Sequence, residues 1–364
     1  MTTTRDLTDQ PSPVREGQGF ELDPLAEFLR ANVPGISGPI ELLQFGRGYS
    51  NLTYLVRAGD RELVLRRAPP GVKIKTAHDM GREYRILSRL ADVWSKAPRA
   101  FAKCDDASVI GAPFYVMERV RGVILRAKVP SSLDLSPDRM KRISEDAIDT
   151  LAEIHLVDYR KAGLEELGKP EGYVERQVKG WTERYRKAQT DDVPQVEALE
   201  KWLSSQLPKE SGATLIHNDF KYDNVVLDAE TTSRVVSVLD WEMATLGDPL
   251  MDLGTTLGYW IEPDDPPVFQ VMVFGPTNRP GNLRRIELVR RWEEKTGRDA
   301  SNILYYYAYA LFKLAVVAQQ LYRRYKDGLT QEERYAPMLE GVRAVTSAAL
   351  HAIDRQRIDR LGEP

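Results

Sequence analysis

The chain has 364 residues, of which 42% are hydrophobic, and its 51 lysines and arginines against 54 aspartates and glutamates give a net charge of −3. This length exceeds the usual size of about 100 to 200 residues for one domain, so we expect two lobes or domains around a sizeable core. The near balance of charge, without a lysine- or arginine-rich tract, argues against nucleic acid or an anionic membrane as the main partner.

The single cysteine, Cys104, excludes a disulfide framework and a cysteine-based metal cluster. We interpret it as an ordinary thiol, because a nucleophilic cysteine needs a basic partner that the sequence does not reveal. The N-terminus lacks an apolar leader segment, and the longest apolar stretch, residues 303–318, is short for a membrane span and contains Lys313. These features predict a cytoplasmic protein.

The chain begins with a polar stretch, residues 1–20, which is punctuated by proline and glycine and is predicted to be a flexible arm. Residues 22–33 then have helical spacing, and Asp23 before Pro24 is typical of an N-cap followed by a first-turn proline. This helix opens a lobe that we assign to residues 21–118.

The rest of this first lobe is predicted mainly as β-structure. Residues 40–69 alternate as strand, glycine-bearing turn, strand, Ala-Gly-Asp turn and strand, which predicts an antiparallel meander. A helix over residues 77–93 and a further strand within residues 112–122 follow. We therefore expect a small, β-rich N-lobe.

Residues 119–364 form the second predicted lobe, which is larger and mainly helical. Hydrophobic spacing predicts helices over 137–159, 171–189, 194–206, 284–296, 302–326 and 331–360. No internal repeat and no low-complexity tract occurs. Together the two parts predict a two-lobed α+β fold.

The first turn of the meander, FGRGYSN at residues 45–51, contains Gly46 and Gly48. Without side chains at these positions, backbone N–H groups can approach a polyphosphate closely. A hairpin turn that needs glycine for a positive φ is the alternative. Arg66 on the third strand, held by Glu83 of the next helix, favours the phosphate interpretation because it could reach nucleotide phosphates beside the turn. Charges that simply face solvent are the alternative for this pair.

Two polar turns carry the strongest chemical signal. HNDFKYDN occupies residues 217–224, and the apolar run VVSVLDWE at residues 235–242 becomes polar at Asp240. Phosphoryl transfer requires a group that orients a hydroxyl nucleophile and a divalent metal that neutralises the triphosphate. Asp219 suits the first task as a carboxylate that accepts the hydroxyl proton, while Asn224 and Asp240 offer oxygen ligands to Mg²⁺.

His217, at the start of the first turn, has two interpretations. We count it with the catalytic residues and favour a role in fixing the loop through backbone hydrogen bonds over direct acid–base chemistry. For the whole set, two Asx-rich turns that cap strands are the structural alternative. The spacing of strand, loop and acid, together with the upstream meander, favours phosphoryl transfer. We therefore expect residues 21–118 to bind a nucleotide and residues 119–364 to carry catalysis and acceptor binding.

The segments LIHNDFKYDNVVLD and VSVLDWEMATLGDPLMDLG resemble those of the aminoglycoside phosphotransferase and choline kinase family, which has the protein-kinase-like fold. The resemblance implies a catalytic base at Asp219, magnesium ligands at Asn224 and Asp240, and ATP and Mg²⁺ as cofactors. It also implies nucleotide-binding residues in the glycine turn and in an adenine-binding hinge at the end of the strand FYVM. These residues are Gly46, Gly48, Ser50, Asn51, Glu118 and Val120.

Within this family, the segments VLRRAPPG and GDPLMDLG are most similar to bacterial proteins that look like the kinase-like domain preceding acyl-CoA dehydrogenase domains in some animal proteins. This similarity implies phosphorylation of a hydroxyl group on a small molecule, such as a hydroxyacyl compound. Two positions depart from the family pattern. Arg66 stands where lysine is usual, and Asn218 replaces the glycine of many aminoglycoside kinases, as it does in choline kinases.

Three alternative functions share part of this evidence. An aminoglycoside or choline-type kinase would have the same paired motifs. A catalytically silent nucleotide-binding module is suggested by Arg66, although the complete set of Asp219, Asn224 and Asp240 argues against it. A protein kinase is disfavoured because no clear activation segment follows Asp240. The sequence leaves open the oligomeric state and the choice between ATP and GTP.

Residues 255–282 bear on the nature of the acceptor, because the family that the sequence resembles places part of its acceptor site there. Three acids, Glu262, Asp264 and Asp265, lie in a predicted surface loop, and the remainder is largely apolar, aromatic or turn-forming. This mixture favours an acceptor with an apolar part over a polycation.

Other residues near these motifs have a structural interpretation. Asp248 and Asp252 are expected to cap a turn and a helix start. His155 is expected to be a satisfied core or interface histidine and not a ligand. Several aromatic residues could line a substrate cleft, but core packing is favoured for them. They are Tyr259, Trp260, Tyr305, Tyr306 and Tyr307.

Overall fold

The computed structural model describes residues 10–46, 51–68, 80–130, 133–270 and 273–362. The chain forms two compact units, each of which consists of three separate chain segments. The first unit comprises Met1–Ile124, Tyr159–Leu164 and Asn224–Met243. The second unit comprises Leu125–Asp158, Glu165–Asp223 and Ala244–Pro364.

The described strands and helices have the following bounds. The strands are β1 (Ile40–Gln44), β2 (Leu52–Ala58), β3 (Arg61–Arg67), β4 (Ala100–Cys104), β5 (Phe114–Glu118), β6 (Thr214–Ile216), β7 (Val225–Leu227), β8 (Val235–Val238) and β9 (Thr245–Gly247). The helices are α1 (Leu22–Asn32), α2 (Met80–Leu90), α3 (Ala107–Ile110), α4 (Pro137–Leu156), α5 (Tyr173–Ala188), α6 (Pro194–Ser205), α7 (Pro249–Tyr259), α8 (Pro267–Gln270), α9 (Arg285–Thr296), α10 (Ile303–Lys326) and α11 (Met338–Arg355).

The first unit contains a five-stranded antiparallel sheet in the order β1-β2-β3-β5-β4. Strands β2 and β3 pair in register from Leu52 opposite Arg67 to Ala58 opposite Arg61, which confirms the predicted meander. Strand β4 was not predicted, because its five residues, AFAKC, are too few and too mixed to show a clear period.

Alternation along β3 sends successive side chains to opposite faces of the sheet. Leu63 and Leu65 lie in the hydrophobic core of this unit with Leu25 of α1. Arg66 faces the other side, where it pairs with Glu83 of α2. Strand β3 therefore places Arg66, the predicted phosphate-binding cation, beside the Glu83 carboxylate of α2.

Residues 10–20, the described part of the predicted arm, make specific contacts with the sheet. Ser12 and Gln44 exchange two backbone hydrogen bonds of 2.8 Å. The Arg67 guanidinium lies 4.8 Å from the ring centroid of Phe20. The consecutive arginines of β3 therefore have different partners: Arg66 pairs with Glu83, whereas Arg67 packs against this N-terminal segment.

Two predicted helix ends differ from the structure. Asp23 lies in the first turn of α1 and not at its N-cap. Helix α11 is shorter than the predicted 331–360, because Pro337 precedes it and Glu333–Tyr335 forms a separate 3-10 turn.

The second unit is mainly helical, and α10 packs there against α5, α6, α7 and α11. The approach of α7 to α10 depends on Gly254, because a Cβ at this position would lie 2.6 Å from the Tyr306 carbonyl oxygen. This packing fixes α7, which carries Asp252 and Tyr259.

The β-rich first unit and the mainly helical second unit confirm the predicted α+β class with a small N-lobe and a larger C-lobe. Within the described ranges, no helix combines the length and the apolar character that a membrane span requires.

Candidate active site

The polar turn at residues 217–224 follows β6, and its geometry begins with Asn218. Asn218 has a φ of 65°, which lies in the left-handed region. Residues other than glycine adopt this conformation rarely, and asparagine tolerates it better than most. Asparagine can therefore occupy this left-handed position in place of glycine.

Asp252 of α7 fixes the backbone of this turn. Its Oδ2 accepts the His217 N–H at 2.6 Å, and its Oδ1 accepts the Asn218 N–H at 2.7 Å. The prediction that Asp252 caps a helix is therefore wrong. Asp248 is the cap, since it accepts the Leu250 N–H at 2.9 Å, and this part of the prediction is confirmed.

His155 connects Asp252 to Trp292 in a buried chain of hydrogen bonds. The Trp292 indole N–H donates to His155 Nδ1 at 2.9 Å, so a neutral His155 carries its proton on Nε2, which lies 3.1 Å from Asp252 Oδ2. Burial alone would raise the pKa of Asp252, but hydrogen bonds from the His155 ring and the His217 N–H hold that pKa below its usual value. His155 is thus a satisfied core histidine, as predicted.

The Asp219 carboxylate is held at both of its oxygens. Oδ2 lies 2.6 Å from the Lys221 ammonium, and Oδ1 accepts the Tyr259 hydroxyl at 2.8 Å. Burial, together with the neighbouring Asp219 charge, raises the pKa of Tyr259 well above its usual value, so the phenol remains a donor. The Asp219 side chain is still 20% exposed, which leaves it accessible to a substrate. The prediction that Tyr259 only packs in the core is wrong.

Two further side chains brace the turn. The buried His217 ring accepts the Asp219 N–H on Nδ1 at 3.3 Å, an arrangement suited to the loop-fixing role that we favoured from the sequence. The buried Lys313 ammonium of α10 donates to the Asn218 carbonyl at 3.0 Å, and burial lowers the pKa of Lys313. Side chains from two helices therefore fix the backbone on the N-terminal side of Asp219.

In the first unit, β7 and β8 place Asn224 and Asp240 at the same end of an antiparallel pair. Asn224 directly precedes β7, and its carbonyl accepts the Leu239 N–H at 2.8 Å. Asp240 has a positive φ of 67°, which aspartate tolerates better than bulkier residues. Its side chain is 33% exposed, so the carboxylate can receive a ligand.

The buried Arg66 guanidinium lies among three carboxylates. It pairs with Glu83, donates from Nη2 to Asp240 Oδ1 at 2.9 Å, and lies 3.7 Å from Glu242. Burial would lower the pKa of Arg66, but the charges of Glu83 and Asp240 raise it well above its usual value. The alternative that Arg66 and Glu83 are solvent-facing charges is wrong, because both side chains are almost fully buried.

The glycine turn is described only at its two ends. Gly48 and Ser50 lie outside the described residues, and their nucleotide-binding role stays a prediction. Gly46 is exposed and has no positive φ. Asn51 is buried and donates from Nδ2 to Glu242 Oε2 at 2.8 Å, which ties the end of this turn to the segment after β8.

The predicted hinge lies at the end of β5. The Glu118 N–H donates to the Arg99 carbonyl at 2.8 Å, so this donor is committed within the unit. Val120 is half-buried two residues further on. An adenine ring at this hinge would therefore use backbone groups other than the Glu118 N–H.

Two side chains at the end of β7 and β8 suit a magnesium ion. Asp240 offers a carboxylate and Asn224 an amide oxygen, and magnesium fills most of its octahedral shell with water and phosphate oxygens. The described part of the chain contains no group of three or more histidine, cysteine, aspartate or glutamate side chains that could hold a metal. A sparse magnesium site completed by nucleotide phosphates fits these residues better than a structural zinc site.

The acids predicted to lie in a surface loop are paired with arginines. Glu262 and Asp265 are 1% and 5% exposed, so their placement in an exposed loop is wrong. The Arg285 guanidinium donates to Asp265 Oδ2 at 2.6 Å, and the Arg285 N–H donates to Glu262 Oε1 at 2.6 Å. Asp264 pairs with Arg284 at 2.9 Å. All three carboxylates are therefore already paired with Arg284 or Arg285.

Three contacts at the candidate site were missed from the sequence. Lys221 and Glu242 lie two residues after Asp219 and Asp240, and this spacing was the available signal. Tyr259 had no local signal, because only the packing of α7 brings it to Asp219.

A small antiparallel unit with a buried arginine–glutamate pair, and a helical unit that orients an aspartate in a polar turn, define the class of kinase-like phosphotransferases. Residues 41–288 match the model of the phosphotransferase enzyme family, and the chain belongs to this family.

Two curated relatives carry acyl-CoA dehydrogenase names. The chain is 37% identical to acyl-CoA dehydrogenase family member 10 of Mus musculus, over 87% of the chain and 30% of the relative. It is 33% identical to acyl-CoA dehydrogenase family member 11 of Rattus norvegicus, over 92% of the chain and 43% of the relative. The chain thus spans less than half the length of these relatives.

Three solved structures share the fold. A protein of Ralstonia eutropha with a provisional assignment as an aminoglycoside phosphotransferase is 28% identical, with a TM-score of 0.79 over 93% of this chain and 99% of that one. Choline kinase from Cryptosporidium parvum is 12% identical, with a TM-score of 0.65 over 94% and 99%. A thermostable mutant of an aminoglycoside phosphotransferase, in a ternary complex with AMP-PNP and hygromycin B, is 16% identical, with a TM-score of 0.56 over 90% and 98%. These neighbours confirm the resemblance inferred from the motifs.

Proposed function

We propose that this chain is an ATP- and Mg²⁺-dependent phosphotransferase that phosphorylates a hydroxyl group of a small molecule. The proposal is carried by the Asp219 carboxylate, which Lys221 and Tyr259 hold at its two oxygens while part of it stays exposed. Phosphoryl transfer depends mainly on positioning and charge stabilisation, and a fixed carboxylate can orient the attacking hydroxyl.

In the proposed reaction, the acceptor oxygen attacks the γ-phosphorus of ATP, Asp219 accepts the hydroxyl proton, and ADP leaves. Asn224 and Asp240 would hold Mg²⁺, which supplies positive charge at the phosphate oxygens when it is bound. Arg66, kept in place by Glu83, would add a permanent cation for the nucleotide phosphates.

The remaining nucleotide contacts are proposed at the glycine turn and the hinge. Backbone N–H groups of the turn would approach the phosphates, and the hinge would bind adenine. The structure with AMP-PNP in a related fold supports a nucleotide of this kind. The residues concerned are Gly46, Gly48, Ser50, Asn51, Glu118 and Val120.

For the acceptor we propose a hydroxyacyl compound. The curated relatives are named for acyl-CoA chemistry, although the chain spans only part of them. Glu262 and Asp265 are buried and already paired with Arg285, which disfavours a polycationic aminoglycoside. The Phe274 ring packs edge-on against the Tyr259 ring, with 4.8 Å between the ring centroids. An apolar surface therefore adjoins the residue that contacts Asp219.

The test is a panel of hydroxylated acceptors incubated with the chain, ATP and Mg²⁺, with mass spectrometry of the products. The panel contains hydroxyacyl compounds as free acids and as coenzyme A thioesters, choline, and kanamycin-type aminoglycosides. We expect hydroxyacyl compounds to exceed the others by at least about tenfold in kcat/KM, or about 1.4 kcal/mol. Aminoglycosides or choline at the top of the ranking would overturn the acceptor assignment alone.

Asp219→Asn is the control for the chemistry. It should lower kcat by a factor on the order of 10² to 10⁴ while nucleotide affinity changes little. Equal turnover in the wild type and this variant would remove Asp219 from its proposed role. Nucleotide binding without any phosphorylated product would favour the silent binding module.

A further inference from the structure

Tyr259, the last residue of α7, contacts both the proposed base, Asp219, and Lys221, which is paired with that base. Its hydroxyl donates to Asp219 Oδ1 at 2.8 Å. The Lys221 ammonium, which lies 2.6 Å from Asp219 Oδ2, is also 4.9 Å from the centroid of the Tyr259 ring. The three side chains therefore all contact one another.

The place of Tyr259 is fixed by packing that does not involve Asp219. Gly258 lets α7 approach α10 closely, because a Cβ there would lie 3.0 Å from the Ala310 Cβ. The Phe274 ring packs edge-on against Tyr259, whose residue is only 9% exposed. The phenol thus has little freedom to turn away from the carboxylate.

A carboxylate needs such restraint because its terminal torsion is soft. Rotation about χ2 of aspartate is broad and two-fold, so an unrestrained carboxylate presents its lone pairs in many directions. Hydrogen bonds to both oxygens select one orientation, and charge-assisted bonds are stronger than neutral ones. The lone pairs left for an acceptor hydroxyl then point in a fixed direction.

We propose that Tyr259 is a positioning residue for phosphoryl transfer: its hydroxyl fixes the rotation of the Asp219 carboxylate, and its ring holds Lys221 against the second oxygen. The inference rests on the proposed function, since it takes Asp219 as the base. Tyr259 acts through Asp219 and does not itself exchange a proton with the substrate.

Two substitutions separate the hydroxyl from the ring. Tyr259→Phe removes the hydroxyl and keeps the ring beside Lys221, whereas Tyr259→Leu removes both. We expect kcat to fall by about tenfold in the Phe variant, equivalent to about 1.4 kcal/mol, and further in the Leu variant. The KM for ATP should stay within about twofold, because the nucleotide contacts are made by other residues.

Tyr305→Phe is the matched control. The Tyr305 hydroxyl donates to the Leu203 carbonyl at 3.0 Å, so this variant also removes one buried phenol hydroxyl from the second unit. We expect its kcat to equal that of the wild type. A loss as large as that in Tyr259→Phe would show that removing any buried hydroxyl impairs the enzyme, and would overturn the inference.

The deciding measurement repeats Tyr259→Phe in the Asp219→Asn background. If Tyr259 acts through the carboxylate, the double variant should turn over as slowly as Asp219→Asn alone. A further tenfold loss, or wild-type kcat in Tyr259→Phe, would overturn this inference and leave the proposed function intact. Equal turnover of the wild type and Asp219→Asn would overturn both. If the Leu variant does not fold, the Phe variant and this comparison decide the question.

Discussion

Oδ2 of Asp252 lies 2.6 Å from the backbone nitrogen of His217 and accepts its hydrogen. The other carboxylate oxygen accepts the N–H of Asn218. A fully buried carboxylate on α7 therefore determines the path of the chain immediately before Asp219, and the stability of the second unit should depend on its charge.

We predict that Asp252→Asn lowers the free energy of unfolding at pH 7 by about 3 to 5 kcal/mol, because the amide can accept only one of the two N–H groups and leaves a buried donor unpaired. The folded pKa of Asp252 is depressed, so its contribution is fully present above the unfolded value of about 3.9 and is lost as the pH falls through the folded pKa. The difference between wild type and variant should therefore shrink below about pH 4.

Urea denaturation at pH 7 and at about pH 3, which is below the unfolded pKa, measures this difference. Asp92→Asn is the control, since Asp92 forms an exposed ion pair with Arg99 and should change stability by no more than about 1 kcal/mol. A difference for Asp252→Asn that is the same at both pH values would contradict the assigned charge.

The contact between α7, which carries Asp252, and α10 gives a second prediction. Gly254→Ala should destabilise the protein by about 1 to 3 kcal/mol, because its Cβ would lie 2.6 Å from the Tyr306 carbonyl and α7 must move. Gly180→Ala in α5 is the matched control. A Cβ at Gly180 meets nothing within 4 Å, so helix propensity should stabilise that variant by about 0.5 to 1 kcal/mol. Thermal and urea denaturation of both variants check the opposite signs.

Variants of Arg66 test its proposed contact with the nucleotide phosphates. Arg66→Ala should raise the KM for ATP and lower kcat, whereas Arg66→Lys should retain part of the activity because it keeps the charge but loses the planar fork. Arg67→Lys is the control, because Arg67 packs against Phe20 on the opposite face of β3. Its effect should appear in stability and not in the KM for ATP. A kinetically silent Arg66→Ala would leave Arg66 with a purely structural role beside Glu83.

Asp240 tests the magnesium site. Asp240→Ala should abolish the rise in Tm that MgATP produces, because one amide ligand cannot hold the ion against the phosphates. At a ligand concentration of 100 Kd, binding stabilises the wild type by about 2.7 kcal/mol, so the lost shift is measurable. Asp228→Ala is the control in the connection between β7 and β8, since Asp228 accepts the Thr231 N–H and its loss should leave the MgATP shift unchanged. An unaltered shift in Asp240→Ala would exclude Asp240 as a ligand.

Much of the fold could be predicted from the sequence because its signals are local. Alternation over residues 40–69 predicts the meander, and helical spacing predicts most of the helices of the second unit. Strand β4 escaped prediction because its five residues show no clear period. The start of α11 was predicted too early, because the 3-10 turn Glu333–Tyr335 and Pro337 precede the helix.

The sequence by itself determined which residues we propose for the chemistry, because the polar turns at 217–224 and 235–242 hold the candidate base and the two candidate oxygen ligands at fixed spacing along the chain. Only the tertiary structure decided which partners act on them. Asp252 reaches the turn from 34 residues away, Tyr259 reaches Asp219 from 40, and Arg66 reaches Asp240 from 174. Such contacts depend on how helices and strands pack, and packing joins residues whose separation in sequence carries no periodic or local signal.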